Sequence, residues 1–562
     1  AGMGASRKSL ASRAKDLMEA SWKEAGRYLS DHIKLGLFDK FDGIKTAYRD
    51  NLDETVEAHE SGYIAARLST GAASVMRGML LYGAPKYAGG VIERIEGSKG
   101  LLDVFAPVQE ELDQFLGWMI ARRADRLYEE GKENNFTREE IDAGLRFADG
   151  KEDLYNQVAD EFAEFKGSIL DLAQNAGLID ATTRPVWDKA DWIPFYRMSS
   201  TRKDGGNLGG GNGLSGQRSG IRKLLGGSEA LTDPLGNIIQ NFNHLITASM
   251  KNIAIQKTVD DLSGTDVIKK TGYAFKGALI PKDQVRKMLI AEGIDQSTID
   301  LLDDETGGEV FEGIAKMWQL AEPTDPTIVK VMRDGKPEFY EVEDPMLLKS
   351  LTNMDIEKAK WLAPFRASKT LLTTMITAEP GFMLRNFMRD TLHAWTINED
   401  HFKPGIDSIR GLAKSFKESG GMIDMMFAGG SFQGGYINGT DPDAARKSIR
   451  SALRSKGYSN EYVQEHLDTI VDFTAGIWDK YRRVGDSFEN ANREAVYEAA
   501  RGAGKSKAQA IFEAKDLMDF SMHGSWPAAQ VLSDMLPFFN ARLQGLYKLG
   551  RAAGTKGIGK QI

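Results

Sequence analysis

Residues 108–125 read VQEELDQFLGWMIARRAD, and this stretch shows the pattern that decides the fold. Its apolar residues recur at intervals of three and four: Val108, Leu112, Phe115, Leu116 and Met119. That period places them on one face of an amphipathic α-helix, with the charged residues outside it. The same pattern dominates residues 6–200 and 346–547. The sequence therefore predicts an all-α, mainly helical protein.

Residues 265–345 are the one stretch with strand character. Segments 328–332 and 339–342 are rich in β-branched and aromatic residues, and they flank Asp334-Gly335, a hairpin turn signal. We expect a small β-ribbon insertion there, packed on a helix at 309–321. Upstream, Thr137 and Glu140 have the spacing of a capping box and predict the start of another helix.

The chain has 562 residues, more than one hydrophobic core supports, so two or three lobes are expected. Composition shifts divide it into an N-terminal helical lobe (1–203), a Gly-rich flexible loop (204–232), a helix with the β-ribbon (233–345), and a C-terminal helical lobe with a basic tail (346–562). Residues 420–440 contain seven glycines, which disfavour a stable helix. Both Gly-rich stretches are predicted hinges.

Composition excludes several classes of function. The formal net charge of −8 excludes a bulk coat for nucleic acid, so any DNA contact requires a local basic patch. There is no cysteine, and the seven histidines lack HExxH spacing, so no metal or cofactor is predicted. No run of 18 apolar residues and no apolar signal region occur. The start at Ala1-Gly2-Met3 indicates a tag remnant or a cut from a longer polyprotein.

Two motifs resemble enzyme sites. Gly211-x-Gly213-x-x-Gly216 has the spacing of a dinucleotide-binding loop, but no strand precedes it, so we interpret it as a flexible loop. The segment from His59 through Glu60 to Tyr63 is similar to that of lytic transglycosylases, in which the glutamate is the general acid. The later tyrosine-bearing motifs of that family do not follow. The main prediction is a non-enzymatic protein, and a muralytic enzyme using Glu60 is the alternative.

Two basic segments are candidate contacts for DNA phosphates or acidic lipid headgroups. They are a helical stripe and a Gly-rich tail, and they contribute Arg446, Arg450 and Arg454, and Arg542, Lys548 and Arg551, respectively. A third segment is apolar, because its Met and Phe side chains offer adaptable contact to a membrane or a partner protein. Its residues are Met422, Met425, Met426, Phe427 and Phe432.

Three patterns carry a further resemblance. They are DWIPFYR at 191–197, EPGFMLRNFMRD at 379–390, and a C-terminal pattern that ends in LPFFNARLQG at 536–545. The last begins with Asn492, Arg493, Glu494 and Tyr497 and continues through Ala508, Phe520 and Gly524. Together they resemble the large polyvalent-protein-associated domain family of phages, which includes internal virion proteins of short-tailed phages. Within the second pattern, Arg389 and Asp390 are adjacent, so we expect them to serve different neighbours.

The resemblance implies a helical ejection protein from the virion interior. It would form a homo-oligomer near the portal and other internal virion proteins, be ejected into the host cell envelope, and help DNA cross it. Its expected partners are the genomic DNA backbone and the host membrane. A passive packaging or scaffolding domain of a phage polyprotein is the third possibility. The resemblance supplies no catalytic residues.

Overall fold

The structure is a computed structural model. The part of the chain that it describes comprises residues 27–131, 136–188, 213–217, 234–277, 290, 295–305, 318–352, 380–398, 400–418, 420–431, 469–517, 519, 521–536 and 538–554.

The first half is built mainly from helices. After a π-helical turn at Lys34–Phe38, the elements are α1 (Asp42–Asn51), α2 (Gly62–Ser69), α3 (Ala72–Leu81), β1 (Pro85–Ala88), β2 (Val91–Arg94), α4 (Leu101–Phe105), α5 (Leu112–Glu129), α6 (Arg138–Leu145), α7 (Glu152–Asn175), α8 (Arg184–Trp187) and α9 (Pro234–Asp261). Short 3₁₀ segments at Ala106–Glu111 and Arg146–Ala148 precede α5 and follow α6.

The second half begins with the strands and ends in helices. Its elements are β3 (Ile268–Thr271), β4 (Ala274–Gly277), α10 (Gln296–Glu305), β5 (Trp318–Ala321), β6 (Ile328–Arg333), β7 (Lys336–Val342), α11 (Pro345–Thr352), α12 (Pro380–Ile397), α13 (Ile406–Phe416), α14 (Gly420–Phe427), α15 (Thr469–Gly502), α16 (Lys507–Leu517), α17 (Pro527–Met535) and α18 (Phe539–Gly554). The predicted mainly helical fold with a small β insertion is confirmed. Among the described residues, no helix combines the length and the apolar character needed to cross a membrane.

The predicted hairpin is present. β6 and β7 pair antiparallel around Asp334 and Gly335, whose φ angles of 47° and 72° suit the tight turn that matches strand twist. β3 adds to β7 and makes a three-stranded sheet, and β4 pairs with β5. The helix predicted at 309–321 is wrong at its end, because Trp318–Ala321 is the strand β5.

The expectation that strands are confined to 265–345 is also wrong. β1 and β2 form a separate antiparallel hairpin within the N-terminal segment. Gly89 and Gly90 form its turn, with φ angles of 55° and 84° that glycine adopts without steric cost. The Gly-Gly dipeptide followed by Val91 and Ile92 was the available signal in the sequence.

The helical patterns in the first half fold largely as predicted. Thr137 Oγ1 accepts from the backbone N–H of Glu140, whose carboxylate accepts from the backbone N–H of Thr137, so the capping box is confirmed. The helix predicted to begin at residue 108 begins at Leu112 instead. Val108 lies in a 3₁₀ segment with a non-helical φ of −115°, although its side chain is buried.

The four segments drawn from the sequence share one hydrophobic core. Phe115, Leu214, Ile246 and Ile511, one from each segment, belong to the same cluster of buried residues. The long helix α9 contributes many of its buried residues, among them Ile238, Phe242 and Ile255. Core packing therefore crosses the segment boundaries that composition indicated.

Both predicted hinges contain ordered packing. In the first, the backbone N–H groups of Leu214 and Ser215 donate to the carbonyl of Leu351, at 2.9 and 3.0 Å. Gly213 and Gly216 thus lie in a packed turn rather than in a free loop. In the second, residues 420–427 form the helix α14, contrary to the prediction that its glycines prevent one.

The apolar segment at α14 is not a surface patch. Its four described members are at most 3% exposed: Met422, Met425, Met426 and Phe427. They pack against α3 and belong to the core, so the prediction that they contact a membrane or a partner is wrong for this conformation. Phe432 lies outside the described residues.

Candidate functional site: a buried charge cluster joining distant parts of the chain

Arg67 on α2 is the centre of a buried charge cluster. Its guanidinium is 2% exposed and contacts three carboxylates that come from opposite ends of the chain. Nη1 lies 3.3 Å from Asp39, and Nη2 donates to Asp516 at 3.0 Å and to Asp519 at 2.8 Å. Tyr63, one helical turn before Arg67, accepts from Nη1 at 2.9 Å and donates to Asp39 at 2.7 Å. The cluster therefore binds the segment around residue 39 to the end of α16.

Cations of α18 and α16 surround the same carboxylates. Arg551 donates to Asp516 at 2.5 Å, and Lys548 donates to the backbone carbonyl of Asp516. Burial raises the pKa of Asp516, but Lys548, Arg551 and Arg67 outweigh it and hold that pKa well below its usual range. Asp519 behaves in the same way, with Lys515 as the strongest cation. Burial lowers the pKa of Lys515 and of Lys548 to about 8 each.

Backbone hydrogen bonds join the same two regions. The N–H groups of Ser525 and Trp526 donate to the carbonyls of Leu35 and Gly36, each at 2.9 Å. The side chain of Gln544 donates to the carbonyl of Phe38 at 2.7 Å. Because the bonds connect groups nearly 500 residues apart, they fix the tertiary fold rather than a local turn. Together with the ion pairs, they make this region a structural clasp.

A cleft of about 730 Å³ opens beside the clasp. Its charged lining mixes both signs and includes Lys45, Arg49, Glu54, Lys505, Glu513 and Arg551. Lys505 is already bound to Asp400 at 2.7 Å and to Glu513 at 2.9 Å. Within the described ranges, no group of three or more His, Asp or Glu side chains is placed to hold a metal ion. The polar lining is largely committed to ion pairs inside the protein.

Glu60 lies outside this cleft. It occupies the turn before α2, its side chain is 65% exposed, and its carboxylate lies 3.7 Å from Nε2 of His59. Ser61 beside it caps α2 by accepting from the N–H of Ile64. A general acid for glycoside hydrolysis is held in a buried site at the scissile bond, whereas Glu60 lies on the surface.

The predicted basic contacts divide into three groups. Arg446, Arg450 and Arg454 lie outside the described residues. Arg542 is exposed on α18. Lys548 is 1% exposed and contacts Asp516, so the prediction that it meets DNA or lipid is wrong for this conformation. Arg551 also contacts Asp516, but its side chain is 40% exposed, so its contact with DNA or lipid stays a prediction. The sequence could not show this, because the acidic partner lies on a different helix.

The pattern at 379–390 supplies a second buried polar group. Asp390 and Asn386 on α12 are buried against α15, and burial raises the pKa of Asp390. Burial, reinforced by Asp390, also raises the pKa of Glu489 on α15 above its usual range. Arg389 donates to Asp390 at 3.2 Å, so the expectation that the two serve only different neighbours is wrong. The arginine side chain is long enough to curl around the helix and reach the carboxylate of Asp390, the next residue.

The C-terminal pattern is also mainly interior. Asn492, Arg493, Glu494, Tyr497 and Ala508 are buried. The side chains of Asn540 and Gln544 both donate to the carbonyl of Met522, at 3.0 Å. The pattern at 191–197 lies outside the described residues. The buried polar residues among those behind the resemblance hold helices together, whereas Leu384, Met388 and Arg542 are exposed.

Comparison with protein-family models, with curated proteins and with solved structures finds no match to this chain.

Proposed function

We propose that this chain is an internal virion protein of a phage, with a structural role in the core and in ejection. One observation carries the proposal: buried polar residues of the two patterns join helices to one another and to the N-terminal segment. The side chain of Asn492 on α15 donates to the carbonyl of Phe387 on α12, and that of Gln544 on α18 donates to the carbonyl of Phe38 in the N-terminal segment. A pattern that specifies helix packing supports an assembly protein more than an enzyme.

The proposed role has three steps. The protein assembles as a homo-oligomer beside the portal and other internal virion proteins. It leaves the capsid on infection, enters the host envelope, and helps genomic DNA cross it. The exposed Arg542 is a candidate phosphate contact within this path.

Mass spectrometry of purified virions and of infected host cells tests the proposal. Peptides of this chain are expected in virions and, after infection, in the host envelope fraction. The major capsid protein of the same phage is the control, because it is expected to stay outside the cell. Absence of the chain from virions would overturn the proposal. Presence in virions without transfer to the envelope would leave the passive packaging role instead.

A further inference from the structure

The helix α13 buries small residues and exposes large apolar ones, which is the reverse of an ordinary amphipathic helix. Its inward face consists of small residues, and Ser408, Gly411 and Ser415 are buried against α15. A Cβ on Gly411 would lie 2.0 Å from the carbonyl oxygen of Ala491, so the backbones of α13 and α15 touch there. This close contact fixes which side of α13 faces inward. The larger apolar residues therefore point outward, and they are 49–64% exposed: Ile406, Ile409 and Phe416.

The neighbouring helix α12 carries a similar exposed stripe. Leu384, Met388, Leu392 and Trp395 follow one another at spacings of four, four and three, which places them on one helix face. They are 40–61% exposed. The opposite face of α12 carries the buried Asn386, Asp390 and Ala394.

The two helices lie side by side on α15. Thr391 of α12 and Ser408 of α13 have their hydroxyl oxygens 3.0 Å apart, and both contact the side-chain oxygen of Asn492 on α15. Because both helices turn their buried faces toward α15, their exposed faces point away from it, except that the ring of half-exposed Phe416 meets Phe488 of α15 edge-on, with centroids 6.2 Å apart. We call the seven exposed apolar residues of α12 and α13 the outer apolar face.

The charges that border this face are positive. Arg410 is 75% and Arg389 is 59% exposed at the side chain, and Arg385, Lys403 and Lys417 are also exposed. The described acidic residues of the same segment are buried or half-buried. This border has the opposite sign to the chain as a whole, whose net charge is −8.

We propose that the outer apolar face binds the surface of an anionic membrane, with α12 and α13 lying in the plane of the headgroups. An apolar helix face flanked by Arg and Lys, with Trp395 at its end, matches both the hydrocarbon and the phosphate of such a surface. DNA offers phosphates but no hydrocarbon. A second copy of the chain would bring the same basic border against this one, and like charges repel. The inference rests on the proposed function only for the place where the protein meets a membrane.

Vesicle flotation with the full chain tests the proposal. Wild-type protein is expected to float with vesicles of equal parts phosphatidylglycerol and phosphatidylcholine. It should bind vesicles of phosphatidylcholine alone several-fold more weakly, because each basic residue near an anionic surface contributes about 1 kcal/mol, roughly fivefold in affinity. Raising the salt concentration should reduce the difference between the two vesicles.

Serine substitutions distinguish binding through this face from non-specific adsorption through any exposed apolar side chain. Leu392→Ser should weaken binding by up to about tenfold, since that change removes most of an inserted side chain. Tyr128→Ser is the matched control, because Tyr128 is 53% exposed but lies on α5. The control should bind as wild type does. Circular dichroism should show both variants folded, since both side chains are exposed.

Three outcomes would overturn the proposal: no binding of wild-type protein to the anionic vesicles, equal weakening by Leu392→Ser and Tyr128→Ser, or a soluble dimer that Leu392→Ser dissociates. The last would make a second copy the occupant. These outcomes are independent of the virion experiment. If the chain is found in virions but does not bind vesicles, only this inference is refuted. If it binds vesicles but is absent from virions, only the proposed function is refuted.

Discussion

Replacing Arg67 with alanine removes the cation at the centre of the clasp and leaves its acidic partners buried. Asp39, Asp516 and Asp519 are each at most 8% exposed at the side chain. Arg551 and Lys548 still neutralise part of the charge on Asp516, but Asp39 and one oxygen of Asp519 lose the guanidinium they contact. Removing one partner of a buried pair costs more than the pair itself contributes, because the remaining charge has no water around it.

The expected loss is about 3–5 kcal/mol in the free energy of unfolding. For all-or-none unfolding of 562 residues, the entropy change is roughly 1.2 kcal/mol per kelvin, so the melting temperature should fall by about 2.5–4 °C. Because the clasp joins residues 34–40 to 516–551, the loss should concentrate there. Amide hydrogen exchange in these two segments should accelerate by about two to four orders of magnitude.

The same variant should change the response to acid. The pKa of Asp516 and of Asp519 is lower in the folded protein than in the unfolded chain, so their contribution to stability is present above about pH 4 and is lost as the pH falls below it. Without Arg67, both pKa values should rise toward the usual range. The difference in stability between wild type and Arg67→Ala should therefore shrink between pH 5 and about pH 2.

Thermal melting at several pH values and hydrogen exchange by mass spectrometry measure these effects. Arg410→Ala is the control, since this arginine is 75% exposed and its loss should change stability by less than about 0.5 kcal/mol. If Arg67→Ala melted like the control and exchanged no faster at residues 34–40, the clasp would not hold the two regions together.

Three further predictions, which use four substitutions, test other contacts. Glu489→Gln should stabilise the protein near neutral pH, because the raised pKa of this acid makes the stability of the wild type fall as the pH rises from about 4. Urea unfolding at pH 5 and pH 7.5 measures the effect, and a pH dependence unchanged by the substitution would contradict it. Gly411→Ala should lower the free energy of unfolding by more than about 2 kcal/mol, because its methyl group collides with Ala491. Gly545→Ala lies in open space on α18 and should instead raise it by up to about 1 kcal/mol. Melting curves that rank the two variants the other way would refute the contact between α13 and α15. Thr137→Ala should lower the free energy of unfolding by about 1 kcal/mol, because the capping box is lost. Amide hydrogen exchange at the start of α6 should then be about fivefold faster than in the wild type, and equal exchange rates would contradict this prediction.

Local features of the fold were predictable because their causes lie within a few residues. The turn at Asp334-Gly335 needs two positive φ angles, and the dipeptide itself supplies residues that accept them. Thr137 and Glu140 satisfy each other's backbone groups within one helical turn. The Gly89-Gly90 hairpin carried the same kind of signal, but the helical pattern on either side of it obscured the strands.

The candidate site was much harder to predict, because burial depends on partners that are distant in the sequence. The basic tail and the Met-rich segment look exposed when read alone. The buried Lys548 contacts Asp516 of α16, and Met425 is buried because α3 covers α14. No pattern within a window of about 20 residues contains these neighbours.

The sequence by itself determined the helical class, the hairpin, the helix caps and the absence of cysteine chemistry, since each follows from local steric and hydrogen-bonding preferences or from composition. Only the tertiary structure decided that Arg67 gathers three distant carboxylates, and that α13 turns serine and glycine inward and isoleucine outward. The physical reason is that helix formation is satisfied within the helix, whereas the choice of buried face depends on what each neighbouring helix offers. Gly411 decides the buried face of α13, because only a residue without a side chain lets the backbone of α13 approach Ala491 of α15 so closely.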